Sequence, residues 1–498
     1  MKKFVPPISQ HIWLLLIILL GSAVRLYHLG YQGLWYDEAF SWAVAGAPLK
    51  IGLAAILTDG GNPPLYQYFM LHPLLLYLGQ SEEILRLPSA VLGILSIPLI
   101  YKVGCLCFGQ KVGLVSALWL SLSPLHVWYS QEARMYATAV FLSLGSIYFF
   151  LRALGENDWK LWLGLFVCSA LAYPTSYSTF LVSLVQLAFI ICTFRTHYPV
   201  LRRWTISQVL ALLPSAPWLV VLLSREAKTF GFGWIQRPGL LDPLKTLWNF
   251  SLGYTGTLTL LVSLSLLLFA FAFLHGLWHQ RRGREGDLLP IPLFPYARLF
   301  LALWLMFPIA FVFLISHLLV PIYIDRFLLV ALPPYLILVA YGLLRIRRVI
   351  VRRGLVLALT LAMSLSLSRI YFDPIYARED WRGLVGYVQQ HSQRNDVIFT
   401  RTLEGTLPFN YYYRGQLKRV AMAVNYVISP LDEITQEYDR IWLVYPYPHD
   451  TTHFVAKPGP LDLYGESEPT IRHWLVAHQR DIVDERDFSG LRLILYAP

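Results

Sequence analysis

Eleven stretches of this 498-residue chain are apolar and close to the length a helix needs to cross a bilayer, about 20 residues. No other feature limits the fold so strongly. In hydrocarbon every backbone N–H and C=O must find its partner inside the protein, and a helix pairs them within its own segment. The stretches are residues 11–30, 86–107, 112–130, 135–153, 160–175, 177–195, 205–223, 252–278, 297–319, 326–344 and 351–369. Composition agrees, with 56% hydrophobic and 14% charged residues, against about 25% charged in an ordinary soluble domain. So few charges cannot cover a water-soluble surface of this size. A cytosolic enzyme, a disordered chain and a disulfide scaffold are excluded. The expected fold class is an all-α polytopic membrane protein of about 11 transmembrane helices, with a small C-terminal α/β domain.

The charge balance of +11, from 41 Lys+Arg against 30 Asp+Glu, raises the question of nucleic acid. The basic residues answer it, because they sit in short clusters between the apolar runs, as membrane topology requires. Lys2/Lys3, Lys111, Arg152/Lys160, Arg195/Arg202/Arg203, Arg281/Arg282/Arg284 and Arg345–Arg353 all fall on the side of the N-terminus when eleven spans are counted. The short apolar segment Leu65–Gly79 would reverse this agreement if it crossed, so it is read as a helix at the outer interface. The stretch 31–85 then becomes a long extracytoplasmic loop, and 370–498 an extracytoplasmic domain after a transmembrane part of 1–369. No small-residue cleavage site follows the first apolar run, which is expected to stay as an uncleaved anchor. Cys105, Cys107, Cys168 and Cys192 lie in or beside apolar segments and imply no disulfide framework.

Beyond residue 370 the pattern changes. Asp380-Trp381-Arg382 opens a helical stretch, and Asp396–Thr400, Arg440–Tyr445 and Leu491–Tyr496 read as buried strands, with a helix near Glu468–His478. This part contains no phosphate-binding glycine loop, no metal-ligand spacing and no Gly-x-Ser-x-Gly.

Chemistry at a membrane surface needs charges that face each other, and three places carry them. Asp37-Glu38 follows the outer end of the first run, and two adjacent carboxylates there repel unless they bind something. One of them can serve as a general base toward a hydroxyl. Equally, acids at the start of an interfacial helix stabilise its dipole. The turn Tyr129-Ser-Gln-Glu132-Ala-Arg134-Met-Tyr136 lies on the same face, where Arg134 can bind phosphate through its planar fork. An interfacial ion pair within an aromatic belt is the plainer reading. Tyr323-Ile-Asp-Arg326 repeats the situation at the tenth run, with Arg326 either snorkelling from a helix end or acting as a second phosphate ligand. Trp234 and Arg237-Pro238, in the outer loop 224–250, suit an aromatic belt or a pocket wall.

Several of these pieces occur in a recognisable order: Arg25-Leu-Tyr-His-Leu-Gly then Trp35-Tyr-Asp-Glu-Ala; Asn62-Pro-Pro-Leu-Tyr66 then His72; Arg86-Leu-Pro-Ser89; Ser123-Pro through Tyr136; Pro321 through Arg326-Phe327; and Asp380-Trp381-Arg382. Across residues 20 to about 400 the chain resembles the family 39/83 class of integral-membrane glycosyltransferases, the C-type fold. That class includes protein O-mannosyltransferases and lipid A aminoarabinose transferases. The resemblance implies that Asp37 is the catalytic base, that the donor is a polyprenyl-phosphate sugar, and that the anomeric centre is inverted. It implies no cofactor and no obligatory metal. Glu132 and Arg134 carry over as substrate-contacting residues, and with Glu38, Asn62, Tyr136, Tyr323 and Arg326 they make up the expected substrate-binding set. The acceptor would be a lipid, a glycan or a protein, at the plasma (inner) membrane, among membrane lipids and without nucleic acid. Departures exist: many relatives have His at Asn62, Thr-His-Tyr at Thr175-Ser-Tyr177, and Arg-Tyr at Arg326-Phe327. The rival reading from another class is a flippase or transporter of polyprenyl-linked lipids, which would more often show two repeated halves with broken spans.

Overall fold

The structure, a computed structural model, describes residues 10–58, 63–156, 158–223, 235–255, 259–278, 296–400, 403–421, 437–446 and 480–498. Asn62, Trp234, the Arg281–Arg284 cluster and the helix expected near Glu468–His478 lie outside the described residues.

The N-terminal part is helical: α1 (Gln10–Leu26), α2 (Tyr36–Gly46), α3 (Leu49–Thr58), a π-helix (Leu65–Met70) running into α4 (Leu71–Leu78), α5 (Glu82–Phe108), α6 (Gln110–Leu122), α7 (Pro124–Ser130) and α8 (Tyr136–Glu156). There follow α9 (Trp159–Ala172), α10 (Ser178–Cys192), α11 (Phe194–Leu212), α12 (Ala216–Leu223), α13 (Asp242–Leu252), α14 (Leu260–Trp278), α15 (Ala297–Leu318), α16 (Leu332–Leu344) and α17 (Val349–Phe372). Among the described residues each of the eleven apolar runs is mostly helical, on one helix or on a broken pair. Length alone separates them. Among the described residues α5, α8, α14, α15 and α17 are long and apolar enough to cross a bilayer, and the bent pair α6–α7 makes a sixth. The helices α1, α9 and α10, and the segment Leu329–Leu344, are apolar but shorter. Proline accounts for several breaks. Pro214 sits in the short 3₁₀ turn Leu213–Ser215 between α11 and α12, and Pro124 opens α7.

The α6–α7 bend of 58° is held by one buried arginine. Pro124 has no N–H to offer the carbonyl of Leu120, four residues earlier. Arg25 of α1 supplies the missing donor: its Nη2 reaches the Leu120 oxygen at 2.9 Å, and its Nη1 the Ser121 oxygen at 3.0 Å. Arg25 Nη2 also lies 2.8 Å from Nδ1 of His126, on α7. Elsewhere the helices are joined by interhelical hydrogen bonds and by small residues. Trp204 Nε1 donates to Gln186, whose amide donates to Ser146, each at 2.9 Å, tying α11, α10 and α8 together. Helices α14 and α16 touch at Gly276 and Gly342, where an added Cβ would collide with the backbone carbonyls of Leu338 and Ala272.

The C-terminal part holds α18 (Trp381–His391), β1 (Asp396–Thr400), α19 (Leu403–Tyr412), β2 (Lys418–Ala421), β3 (Arg440–Pro446), β4 (Asp481–Phe488) and β5 (Leu491–Ala497). The strands form one sheet in the order β2-β1-β3-β5-β4, with β1 parallel to β2 and β3, and β5 antiparallel to β3 and β4. The three expected strands are β1, β3 and β5, the apolar centre of the sheet. The two edges, β2 and β4, have exposed charged residues and no apolar run. Trp381, Leu384 and Val388 of α18 and Phe409 of α19 pack on one face, against Ile398, Trp442 and Leu493.

This part docks on the loop that carries Asp37. Tyr412 Oη accepts the Leu34 N–H at 2.8 Å and donates to Glu82 at 2.9 Å. Arg382 pairs with Glu82 at 2.5 Å, and Trp42 packs edge-on to Tyr411.

Candidate active site

The first turn of α2 sends its two acids in different directions, because neighbours on a helix are about 100° apart around its axis. Glu38 points inward and is fully buried. Arg86 of α5 grips it with Nε and Nη2, each at 2.8 Å, and the Ala133 N–H adds a bond at 2.8 Å. Arg378, just ahead of α18, donates to Oε2, the oxygen that Arg86 Nη2 also holds. Burial alone would raise the Glu38 carboxyl, but Arg378 and Arg86 outweigh it and hold it at about 2.

Asp37 faces a different set of partners, with its side chain 16% exposed. Its Oδ2 accepts from Arg326 Nη1 at 2.8 Å and lies 3.9 Å from Arg134 Nε. Arg326 comes from the irregular stretch after α15 and stands over the rings of Trp35, Tyr136 and Phe327, 5.9, 5.8 and 5.6 Å from the guanidinium carbon. Arg134 reaches the Asp37 carbonyl and the Ser41 hydroxyl, both at 3.4 Å, while its Nε has no hydrogen-bond partner among the described residues. Tyr136, the first residue of α8, packs edge-on to Tyr129 with centroids 5.0 Å apart.

The turn between α7 and α8 is anchored from both sides. Gln131 donates to the carbonyls of Arg25 at 3.1 Å and Tyr27 at 2.8 Å, and Ser89 donates to the Arg134 carbonyl at 2.9 Å. Glu132, in this turn, is buried, with Oε2 3.6 Å from Arg378 Nη2 and Oε1 lacking a hydrogen-bond partner among the described residues. Burial pushes its carboxyl up to about 7; Arg378 works against the shift, while Glu38 and Asp37 add to it.

The structure thus brings Asp37, Glu38, Glu132, Arg134, Tyr136 and Arg326 into one cluster from three separate segments, and Arg86 and Arg378 join it from two more. Tyr323 stands apart from it. Its hydroxyl is 2.9 Å from Thr246 Oγ1 on α13, and Thr246 also donates to Asp325 at 2.6 Å. Tyr323 therefore ties the Arg326 segment to α13. Two residues that sequence reasoning left without a role, Arg86 and Arg378, are central. For Arg86 a signal existed, since a basic residue opens an apolar run; Arg378 sits in an unremarkable polar stretch. Behind these two arginines lies a cleft lined by His28, Gln32, Trp128, Gln131 and Tyr371. Among the described residues no three His, Cys, Asp or Glu side chains are placed to hold a metal ion.

Known proteins can be set beside this geometry. Residues 61–221 match the family model described as dolichyl-phosphate-mannose-protein mannosyltransferase. That interval contains Arg86, Glu132, Arg134 and Tyr136, whereas Asp37, Arg326 and Arg378 lie outside it. No curated protein matches the chain. Among solved structures, ArnT from Cupriavidus metallidurans in the apo state superposes with a TM-score of 0.63 at 14% identity, over 97% of this chain and 98% of that one. The same enzyme has been solved bound to undecaprenyl phosphate. The Archaeoglobus fulgidus oligosaccharyltransferase in its apo form gives 0.55 at 10% identity, over 89% of this chain and 70% of that one. The arabinofuranosyltransferase AftD from Mycobacteria gives 0.53 at 16% identity, where 99% of this chain matches only 42% of the longer enzyme. At such identities the shared property is the architecture. The chain has the fold of the C-type membrane glycosyltransferases, and its match to the mannosyltransferase family model covers residues 61–221.

Proposed function

We propose that the protein is an inverting glycosyltransferase that moves a monosaccharide from a polyprenyl-phosphate donor to an acceptor hydroxyl on a lipid, a glycan or a protein. In this reading it works at the extracytoplasmic face of the plasma (inner) membrane, with residues 1–369 as the transmembrane part and 370–498 as an extracytoplasmic domain. The observation that carries it is the group Asp37, Arg326 and Arg134. A partly exposed carboxylate stands within ion-pair reach of two guanidinium groups, in a fold shared with an enzyme solved with a polyprenyl phosphate.

The chemistry is a single displacement. Both ion-pair contacts of Asp37 run through Oδ2, and Oδ1 is the atom that takes the acceptor's proton. The acceptor oxygen bonds to C1 of the sugar as the bond from C1 to the phosphate oxygen breaks. The lipid phosphate leaves with the electron pair, stabilised by Arg326 and Arg134. Donor phosphate would also compete for Arg326 and loosen its hold on Asp37, so donor binding would prepare the base. A covalent intermediate needs a carboxylate on each side of the sugar. Glu38 cannot provide the second, since Arg86, Arg378 and the Ala133 amide occupy it.

The test uses purified protein in nanodiscs with a panel of radiolabelled polyprenyl-phosphate sugars, scoring donor binding and sugar release separately for wild type and Asp37→Asn. Turnover of one donor by wild type, with a mutant that binds it but is inert, supports both the reaction and the base. Equal turnover in the mutant removes Asp37 from the chemistry. If no donor binds, the lipid-flippase reading takes first place.

A further inference from the structure

Glu38 already has a complete partner in Arg86, which grips it with two bonds from α5. A second arginine on the same carboxylate therefore needs another explanation. Arg378 comes from the other end of the chain, after the 3₁₀ turn Pro374–Tyr376 that follows α17, and its side chain is only 8% exposed. Its Nη1 donates to Glu38, and its Nη2 lies 3.6 Å from Glu132 and 3.4 Å from the Gln131 carbonyl. The guanidinium carbon stands 5.3 Å from the centre of the Trp128 ring, and the Arg378 N–H donates to Gln32 at 3.2 Å. One side chain thus touches α2, α7 and the turn that carries Glu132 and Arg134.

Glu132 is what Arg378 adds. Among the described residues Arg378 is the one cation in ion-pair contact with it. Asp37 and Glu38 of α2 face the same carboxyl, as do Arg326 from the stretch after α15, Arg134 from its own turn, and the phenols of Tyr66, Tyr129, Tyr136 and Tyr254. Without Arg378, a buried carboxylate would stand beside two others with no ion-pair partner, and the turn would have to shift or stay protonated.

We propose that Arg378 is a positioning residue: reaching in from the start of the C-terminal part, it clamps Glu132 against Glu38 and fixes the turn that holds Arg134 beside Asp37. The site is then complete only while the C-terminal part is docked. The consequence for sugar transfer rests on the function proposed above; the clamp itself does not.

Thermal unfolding of the full chain in nanodiscs tests the clamp without any substrate. Wild type, Arg378→Gln, Glu132→Gln and the double variant are compared at pH about 5.5 and about 8, a window in which Glu132 changes charge and Glu38, held at about 2, does not. Arg378→Gln is expected to lower Tm clearly more at the higher pH, and that pH-dependent part should vanish in the Glu132→Gln background. Arg378→Lys keeps a charge near Glu132 and should restore most of it, which also covers the case that Arg378→Gln does not fold. Arg382→Ala is the control. Arg382 also joins the two parts, through Glu82, but has no contact with Glu132, and its loss should be equal at both pH values. A pH-independent drop for Arg378→Gln, or one that persists without Glu132, overturns the clamp.

With a donor that turns over, Arg378→Gln should lower kcat at least about tenfold with little change in donor KM, and move the Glu132 limb of the pH profile up by roughly one unit. Intact kcat with an unmoved limb also overturns the proposal. If no donor turns over at all, the function fails while the unfolding cycle still decides the clamp.

Discussion

Two buried clusters in this protein use the same residue types to different ends. Around Arg25, the donors meet fixed acceptors: the Leu120, Ser121 and Gly21 carbonyls, Ser130 and His126. No carboxylate takes part in those bonds, and the arrangement repairs a helix bend. Around Asp37 three carboxylates meet four guanidinium groups, and the matching is incomplete. Glu132 Oε1 and Arg134 Nε are buried without hydrogen bonds among the described residues. Buried polar groups are normally satisfied, and an unsatisfied pair beside a partly exposed carboxylate is the feature on which the proposed donor site rests. Leftover bonding capacity alone does not separate the two clusters, since His126 Nε2 beside Arg25 is also buried without a hydrogen bond among the described residues; what sets the Asp37 cluster apart is unpaired capacity on charged groups next to a partly exposed carboxylate.

The strongest way to break this contrast is Asp37→Asn, expected to reduce sugar transfer by about 10²–10⁴-fold. Circular dichroism and Tm should stay near wild type, since Asp37 is linked through one oxygen at the rim of the cluster. A large loss of fold instead would place Asp37 with Arg25, among the structural charges.

Arg86→Met should do the reverse. It leaves Glu38 buried with half its hydrogen bonds, and should cost about 3–5 kcal/mol of stability, read by denaturation in detergent. Activity per folded molecule is then a secondary effect. In the Arg25 cluster, Arg25→Met exposes two carbonyls without donors at the bend, for about 2–4 kcal/mol. Its kcat per folded molecule should match wild type, and a selective loss of kcat would show that the bend cluster takes part in chemistry.

A smaller effect is expected for Arg326→Lys, roughly 10–100-fold in kcat, because lysine keeps the charge but loses the planar fork and its stacking on Trp35 and Tyr136. Unchanged kcat with the lysine would reduce Arg326 to a simple counter-ion. The smallest effect concerns Glu132. Its carboxyl is raised from 4.5 to about 7 in the folded state, so between those values the folded protein holds a proton that the unfolded chain has lost. Stability from this group therefore falls as pH rises through the window. Glu132→Gln should gain on wild type by on the order of 1–3 kcal/mol between pH about 5 and about 8. A Tm difference that does not change with pH would contradict this.

Much of the architecture was legible because hydrophobic length is a local property. The apolar runs coincide largely with helix among the described residues, and the three apolar strands of the C-terminal sheet appear where the sequence marks them. What stayed illegible depends on partners far away along the chain. The breaks at Leu213–Ser215 and between α6 and α7 shorten spans that composition alone makes continuous. Strands β2 and β4, at the sheet edges, carry charges instead of an apolar signal. Tyr323, only three residues from Arg326, belongs to the Thr246 knot on α13.

By itself the sequence determined that this is a membrane protein of many helices, and that acids and arginines gather at the ends of several of them. Those conclusions follow from the cost of exposing polar groups to lipid, which each segment meets on its own. Only the tertiary structure decided which of two adjacent acids is available. Asp37 and Glu38 differ by one residue, but a turn of about 100° sends one into the grip of Arg86 and Arg378 and leaves the other with Arg326 at the rim. The pairing of a buried charge is set by whatever folds against it, from 48 residues away for Arg86 and 340 for Arg378.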